Sequence, residues 1–530
     1  MAQGALPATQ TAFQALLGTL STQVETYVAD TIRALYEELR EQIRLDRQRL
    51  FGARSEAHPL QGSLFNEAEW AADEAAVADD GAADTQAASE PGTPAPTSGP
   101  RRTHGGRQPL PPELPRVEVK LDLGEAERPC GTCGQDRVQI GETVSEQLNI
   151  VPMRIEVIRT IRSRYACPAG HVAPVVAPLP PTALPRTNFA PGFLATLLTT
   201  KYVDGLPLNR FAKVLQRHGV TVSRQTLART VIATAKVLQP LANLAWDTVL
   251  EAPVIHMDET PVQVLKEPGK APQSKSYMWV AKGGPPARPV VLYTYDPGRS
   301  GQVPLTLLEG WRGYLMTDGY EGYSAIAKRD RVEHLVCLVH ARRKFVEAKR
   351  ASPKGKATRA DQALAFFARL YRIEAGVKEQ DAATRWQARL HQSRPVLEQL
   401  RAWLTATRPV VTPKSKLGEA LAYLDKYWPK LTRYTERGDL PIDNNPCENA
   451  IRPFVLGRKA WLFADTQAGA KASALLYSLV ETAKANGLEP YTWLHHVLAR
   501  LPAVTTVAGY EALMPWNVHP ENLVEMSATA

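Results

Sequence analysis

Cysteine is scarce in this chain, with five in 530 residues and only Cys130 and Cys133 forming a Cys-x-x-Cys pair. So few and so unevenly placed, they exclude a disulfide-built scaffold. They fit a reducing cytoplasm, where neighbouring cysteines read as metal ligands rather than bridges. Long apolar runs are also missing. A stretch such as Leu335–Val339 is far too short to span a bilayer, so no membrane partner is expected. The first twenty residues lack the basic start and apolar run of a secretory signal. Positive charge is absent from residues 55–100, which hold nine acidic side chains and no Lys or Arg. Because the whole chain is nevertheless +9, the rest of it is strongly basic, as suits a polyanionic partner. The length exceeds what one core accommodates, and several domains are expected.

The N-terminal residues supply the first pattern. Leu20, Val24, Val28, Ile32, Leu35, Leu39, Ile43 and Leu50 recur three or four apart with charged residues between them. This stripe predicts a helix over residues 1–55 that self-associates as a coiled coil, the plainer alternative being an amphipathic helix packed on its own domain. Residues 56–115, rich in Ala, Asp, Glu, Pro and Gly, hold too few large apolar groups for a core and are expected to form an acidic, Pro-rich linker.

Cys130-Gly-Thr-Cys133 and Cys167-Pro-Ala-Gly-His171 flank a β-branched, alternating stretch. Two close pairs joined by a hairpin can hold one tetrahedral Zn²⁺ through Cys130, Cys133, Cys167 and His171, so residues 116–180 read as a zinc-ribbon-like module. The second pair is less regular, and unrelated buried cysteines with a surface His are the alternative. Residues 181–249 read as helices. One over Leu208–Gln216 ends at His218-Gly219, and Ser223 is a natural N-cap for another through Ala235. That is a helix-turn-helix pattern, which would present Arg224, Gln225 and Arg229 to DNA; a plain helical bundle shares it.

From residue 250 the pattern becomes strand-like. Strands are expected over Val254–Val264, Ser276–Ala281, Pro289–Tyr295, Gly313–Asp318 and Val332–Leu338, with a helix over Leu305–Trp311 after the third. Three strands, a helix and two more strands is the order of a ribonuclease-H-like fold, whose first and fourth strands are parallel neighbours. The reading is thus a multidomain α/β protein. Its core spans residues 250–350 and 441–490, with a helical insertion over 351–440 and a helical tail over 491–530. Asp258 and Asp318 would lie side by side, and adjacent buried carboxylates call for a cation. Asp318-Gly319 also reads as an ordinary turn pair. In Asp443-Asn-Asn-Pro-Cys-Glu448, Asn445 is the expected N-cap, Pro446 the first helical residue and Glu448 the third. Glu448 could equally close a capping box or pair with Arg452, and locally these readings stay open. Cys337 and His340 have a spacing that can bind metal, though a buried strand-end Cys and a helix-start His is the plainer reading.

These strings resemble transposases of the insertion sequence 66 family, within the acidic-triad superfamily of transposases and integrases. The resemblance rests on Leu50-Phe-Gly-Ala-Arg-Ser-Glu56, Gly106-Arg-Gln-Pro-Leu-Pro111, Val144-Ser-Glu-Gln-Leu148, His256-Met-Asp258-Glu-Thr260 and Thr317-Asp318-Gly-Tyr320. It continues through His340-Ala-Arg-Arg-Lys-Phe345, Asp443-Asn-Asn-Pro-Cys-Glu448-Asn-Ala-Ile-Arg452-Pro and Gly457-Arg-Lys-Ala-Trp-Leu-Phe463. It implies a catalytic triad of Asp258, Asp318 and Glu448 holding two Mg²⁺ (or Mn²⁺) ions, with a structural Zn²⁺ in the upstream module. It implies terminal inverted repeats and target DNA as partners, with Arg452, Arg458 and Lys459 holding phosphates. A homodimer or higher oligomer in the bacterial cytoplasm, associated with the nucleoid and with small accessory proteins of the same element, completes the expectation. Ala460, Leu338-Val339 and His171 depart from the family's usual residues. A DNA-binding regulator without chemistry, or a nuclease that cleaves without joining, are the competing readings.

Overall fold

A computed structural model of the chain describes residues 178–352, 357–519 and 521–524, with 155–165, 175–176 and several positions between 28 and 43. Asp84–Pro178 forms one compact unit and Leu179–Ala530 belongs to another. In the smaller unit, Arg164–Tyr165 pairs antiparallel with Val175–Val176, bracketing the Cys167–His171 stretch. The four expected zinc ligands lie outside the described residues, as does most of the expected coiled-coil helix and all of the linker. Of that helix, Val28, Ile32, Leu35, Leu39 and Ile43 are helical and at least half exposed or nearly so (47–62%), an apolar stripe turned to solvent.

The larger unit is a mixed α/β assembly. Its strands are β1 (Val254–Lys266), β2 (Lys275–Gly283), β3 (Val290–Asp296), β4 (Gly313–Thr317), β5 (Val332–Val336) and β6 (Ala464–Thr466). They are ordered β3-β2-β1-β4-β5. The β1–β2 and β2–β3 pairs are antiparallel, while β1–β4 and β4–β5 are parallel, so the first and fourth strands are the parallel neighbours expected. β1 is long enough for two parallel partners, β4 at its start and β6 at its end, the latter through Val264↔Ala464 and Lys266↔Thr466. The sequence pattern did not reveal β6.

Four helices precede the sheet: α1 (Pro191–Tyr202), α2 (Leu208–Arg217), α3 (Arg224–Val237) and α4 (Gln239–Leu250). Ser223 caps α3 as expected, its hydroxyl accepting from Thr226 N at 3.0 Å, and Gly219 takes φ +80 in the turn before it. Leu198, Leu227 and Leu241 share one hydrophobic core with Val280 and Leu292 of the sheet and with Leu476 and Trp493 downstream. The helices expected to form a helix-turn-helix are therefore packed into the same core as the sheet.

The helix expected over Leu305–Trp311 runs instead over Gln302–Leu307 (α5). Pro304 tolerates only a first turn, which draws the start upstream, and Trp311 leaves the helix to donate its indole N–H to Ala252 O. β5 stops at Val336, two residues early, because Leu338 already begins α6 (Leu338–Ala351). The insertion carries α7 (Arg359–Gly376), α8 (Ala382–Ala388), α9 (Arg394–Thr407) and α10 (Lys416–Thr432). Phe367, Leu400 and Leu424 of these helices build a second core with Phe345 of α6 and with Met316, Leu335 and Val336 of the sheet.

After the insertion come α11 (Asn445–Trp461), α12 (Gln467–Ala485) and α13 (Pro490–Arg500). α12 seals the outer edge of β3. Thr482 Oγ1 accepts from Val291 N and donates to Val291 O, Ser478 Oγ does the same for Tyr293, and Asn486 Nδ2 donates to Pro289 O. Hydroxyls and an amide four residues apart on a helix thereby satisfy an edge that would otherwise be open to strand pairing.

Candidate functional site

Asp258 sits within β1 on an apolar background, between buried Met257 and buried Glu259. The β1–β4 register, Val254↔Tyr314 through His256↔Met316, holds an offset that brings Asp318 opposite Asp258 when continued two residues. Residues facing each other in a parallel pair project to the same face of the sheet. Asp318 follows the last residue of β4, and its Oδ1 accepts from Tyr320 N at 2.8 Å. Gly319 takes φ +85, so the Asp-Gly pair is indeed a turn, and that turn is what leaves Asp318 at the strand tip.

The backbone of this turn is gripped from the insertion. Tyr423 and Tyr427, one turn apart on α10, donate their hydroxyls to Asp318 O and Gly319 O, each at 2.7 Å.

Glu448 arrives from α11 and is buried. The N-cap is Asn444, not the expected Asn445, and its side chain makes no capping bond. It is used elsewhere: Asn444 Nδ2 donates to Met257 O at 3.0 Å, and Oδ1 lies 3.0 Å from His256 Nδ1. The helix start is thus pinned to β1 beside Asp258, which displaces the cap by one residue and places Glu448 one position deeper than predicted. A capping box closed by Glu448 on Asn445 is not formed. Asp443 steadies the entry, its Oδ1 accepting from Asn445 N at 3.1 Å, while Cys447 is wholly buried with its thiol toward Val280 O at 3.7 Å.

The electrostatics follow from this convergence. Burial raises the Asp258 pKa well above the usual carboxylate range, and the nearby charges of Glu259, Asp318 and Glu448 raise it further. Asp318 is also raised, chiefly by burial, against the pull of the Tyr320 N–H bond, Arg299 and Arg343. Glu448 Oε1 lies 3.6 Å from His340 Nδ1, and Oε2 lies 3.8 Å from Arg343 Nη2. With Glu259, Asp318 and Glu448 all acting on Asp258, ionising every one of these acids without a cation is unfavourable.

Glu259 points to the opposite face, where Arg299 Nε donates to Oε1 at 2.7 Å and Tyr323 donates to Oε2 at 2.6 Å. The Arg299 guanidinium stacks 3.7 Å from the centre of the Tyr320 ring, linking that buried acid to the residue that caps Asp318. Sequence reasoning missed Asn444, Glu259, Arg299, Tyr423 and Tyr427. Only the i, i+4 tyrosine pair and the run of Asn before Pro446 carried any local signal.

The expected DNA contacts are placed unequally. Arg224, Gln225 and Arg229 are exposed at the start of α3, and Arg452 and Lys459 are exposed on α11. Arg458 instead turns back onto β1, donating to Thr260 Oγ1 at 3.2 Å and to Pro261 O.

A carboxylate-centred site on a mixed α/β core, with an exposed basic helix start on the same unit, is the class of protein so defined. The family model described as "Transposase IS66 family" matches residues 186–472, more than half of the chain and all three acids. The chain belongs to that transposase family. Further family matches cover residues 478–516 (IS66 C-terminal element), 127–169 (zinc-finger binding domain of transposase IS66) and 38–119 (Transposase C of IS166 homeodomain). The zinc-finger match takes in Cys130, Cys133 and Cys167 and ends before His171. In Sinorhizobium fredii (strain NBRC 101917 / NGR234), the uncharacterized protein y4jD is 32% identical over 422 residues, 77% of this chain and 81% of that protein. The uncharacterized protein y4qI of the same organism is 32% identical over 434 residues, 80% and 79% of the two chains. No helix among the described residues is long and apolar enough to cross a membrane.

Proposed function

We propose that this chain is a DNA transposase that binds the terminal inverted repeats of an insertion element, nicks its ends and joins them to target DNA. The core is read as ribonuclease-H-like, and Asp258, Asp318 and Glu448 as the carboxylates that hold two Mg²⁺ or Mn²⁺ ions. The observation that carries this reading is the β1–β4 register that sets Asp318 opposite Asp258, supported by the Asp258 pKa, which burial raises and the charges of Glu259, Asp318 and Glu448 raise further. Bound divalent ions would supply charge neutralisation and Lewis acidity to an in-line phosphoryl transfer.

The chain's own residues position the reaction. Asn444 and the tyrosines of α10 fix the backbone beside each acid, and Arg343 offsets negative charge at Glu448. Water attacks the phosphorus at the element's end and the P–O3′ bond breaks; the freed 3′-hydroxyl then attacks a target phosphodiester, whose own P–O3′ bond breaks as the new P–O bond forms, leaving a target 3′-hydroxyl that takes up the proton. Arg452 and Lys459 hold backbone phosphates. Arg224, Gln225 and Arg229 enter the major groove, and a zinc module built on Cys130, Cys133, Cys167 and His171 adds a second contact. The exposed apolar stripe over residues 28–43 joins two or more copies and so two element ends.

The test uses the purified full chain, Mg²⁺ and labelled terminal-repeat DNA, with accessory proteins of the element added in parallel, scored for nicking and strand transfer. The wild type is expected to do both, and Glu448→Gln to lose roughly a hundredfold or more. Full activity in Glu448→Gln would remove the third acid from the site. Binding with no reaction under any divalent ion would make the chain a regulator, and cleavage without joining a nuclease.

A further inference from the structure

Cys337, His340 and Glu448 come together from distant parts of the chain. Cys337 is the residue between β5 and α6, His340 lies in the first turn of α6, and Glu448 in the first turn of α11. One donor atom from each lies within 4.8 Å of the other two. His340 Nδ1 stands 3.6 Å from Glu448 Oε1, too long for an N–H···O hydrogen bond, and this buried nitrogen has no hydrogen-bond partner. The separation is instead that of two donors on one ion. With metal–N and metal–O bonds of about 2.0–2.2 Å at a tetrahedral angle, neighbouring donors stand ~3.4 Å apart. Glu448 divides its two oxygens, Oε1 toward His340 and Oε2 toward Arg343.

We propose that Cys337 Sγ, His340 Nδ1 and Glu448 Oε1 form a binding site for one Zn²⁺-class ion, separate from the Asp258–Asp318 pair and from the upstream zinc-finger region. One sulfur, one nitrogen and one oxygen make a borderline-soft set that selects Zn²⁺ over Mg²⁺. Binding releases the Cys337 thiol proton to solvent. Three protein ligands leave a fourth position for water, and the His340 side chain, 21% exposed, is where the site opens. One consequence rests on the proposed catalytic reading: an ion seated here withdraws Glu448 from the two aspartates, so Zn²⁺ competes with the catalytic ions.

The site is tested without DNA or turnover, so its failure is distinct from failure of the catalytic reading. Full-length wild type, Cys337→Ser, His340→Asn and Glu448→Gln are equilibrated with Zn²⁺, dialysed, and their zinc content counted by mass spectrometry, with melting curves confirming folding. Each variant is expected to hold one zinc fewer per chain than the wild type. His340→Asn and the near-isosteric Glu448→Gln carry the test if the buried Cys337→Ser does not fold. Wild-type zinc content in a folded His340→Asn or Glu448→Gln would overturn the site.

Discussion

Replacing Asn444 by Ala probes the joint on which the site depends. Asn444 is fully buried and ties the start of α11 to β1 through Met257 O and His256 Nδ1, at 3.0 Å each, across more than 180 residues of sequence. Alanine removes both bonds and leaves a carbonyl and a ring nitrogen that water reaches poorly. A buried polar group abandoned in this way costs about 1–3 kcal/mol, so two cost roughly 2–6 kcal/mol. The backbone N–H of Asn444, which donates to Cys337 Sγ at 3.2 Å, is unaffected, so the change tests the side chain alone. Urea unfolding followed by tryptophan fluorescence reports the loss, since Trp279 and Trp493 are buried in the core that α11 helps close. A second readout is nicking under conditions where the variant stays folded, which should fall because Glu448 is no longer held beside Asp258. A stability loss below about 1 kcal/mol together with unchanged nicking would refute the tether.

Two further substitutions test neighbouring features. Burial pushes the Asp443 pKa up to about 6. A raised acid favours the protonated native state, so its contribution is full below the unfolded value near 3.9 and is lost as pH rises through about 6. The loss amounts to ~3 kcal/mol. Asp443→Asn should therefore match the wild type near pH 4 and exceed it by up to that amount near pH 7.5, and parallel pH–stability curves would sink the idea. Gly319→Ala places a Cβ 2.9 Å from Tyr423 Oη at φ +85, whereas Gly269→Ala, at φ +74, meets nothing within 4 Å. Both bear about 1–2 kcal/mol of left-handed strain, and only Gly319→Ala should also depress nicking through Asp318. Equal effects on nicking would deny Tyr423 its part.

What could be read from the sequence was whatever depends on neighbours in the chain. Apolar, β-branched runs bounded by turn residues marked all five strands of the main path, and the Ser223 cap located α3. The separation of Asp258 from Asp318 matches the β1–β4 register offset, so an acid read on each of these strands falls on facing positions. What escaped depends on partners far away. The cap moved from Asn445 to Asn444 because a strand nearly two hundred residues earlier bids for that side chain. β6 is too short to show alternation, and it forms because β1 has a free end to pair with. Ser478, Thr482 and Asn486 look like weak helix formers until the open edge of β3 gives them work.

These long-range partners share a logic that bears on the acids. Like-charged carboxyls push one another apart, and each aspartate's own backbone opposes that with one N–H bond, Glu259 N to Asp258 Oδ1 and Tyr320 N to Asp318 Oδ1, both at 2.8 Å. Further bonds come from elsewhere and fall on the backbone beside the acids. Asn444 grips Met257 O next to Asp258, and Tyr423 and Tyr427 grip the carbonyls of Asp318 and Gly319. Each aspartate is thus fixed through its backbone and a bond on Oδ1 alone, which commits less of the carboxylate than bonds to both oxygens would. The insertion is thus part of the site, because α10 braces the Asp318 turn while its other face fills the second core through Leu424 and Leu431.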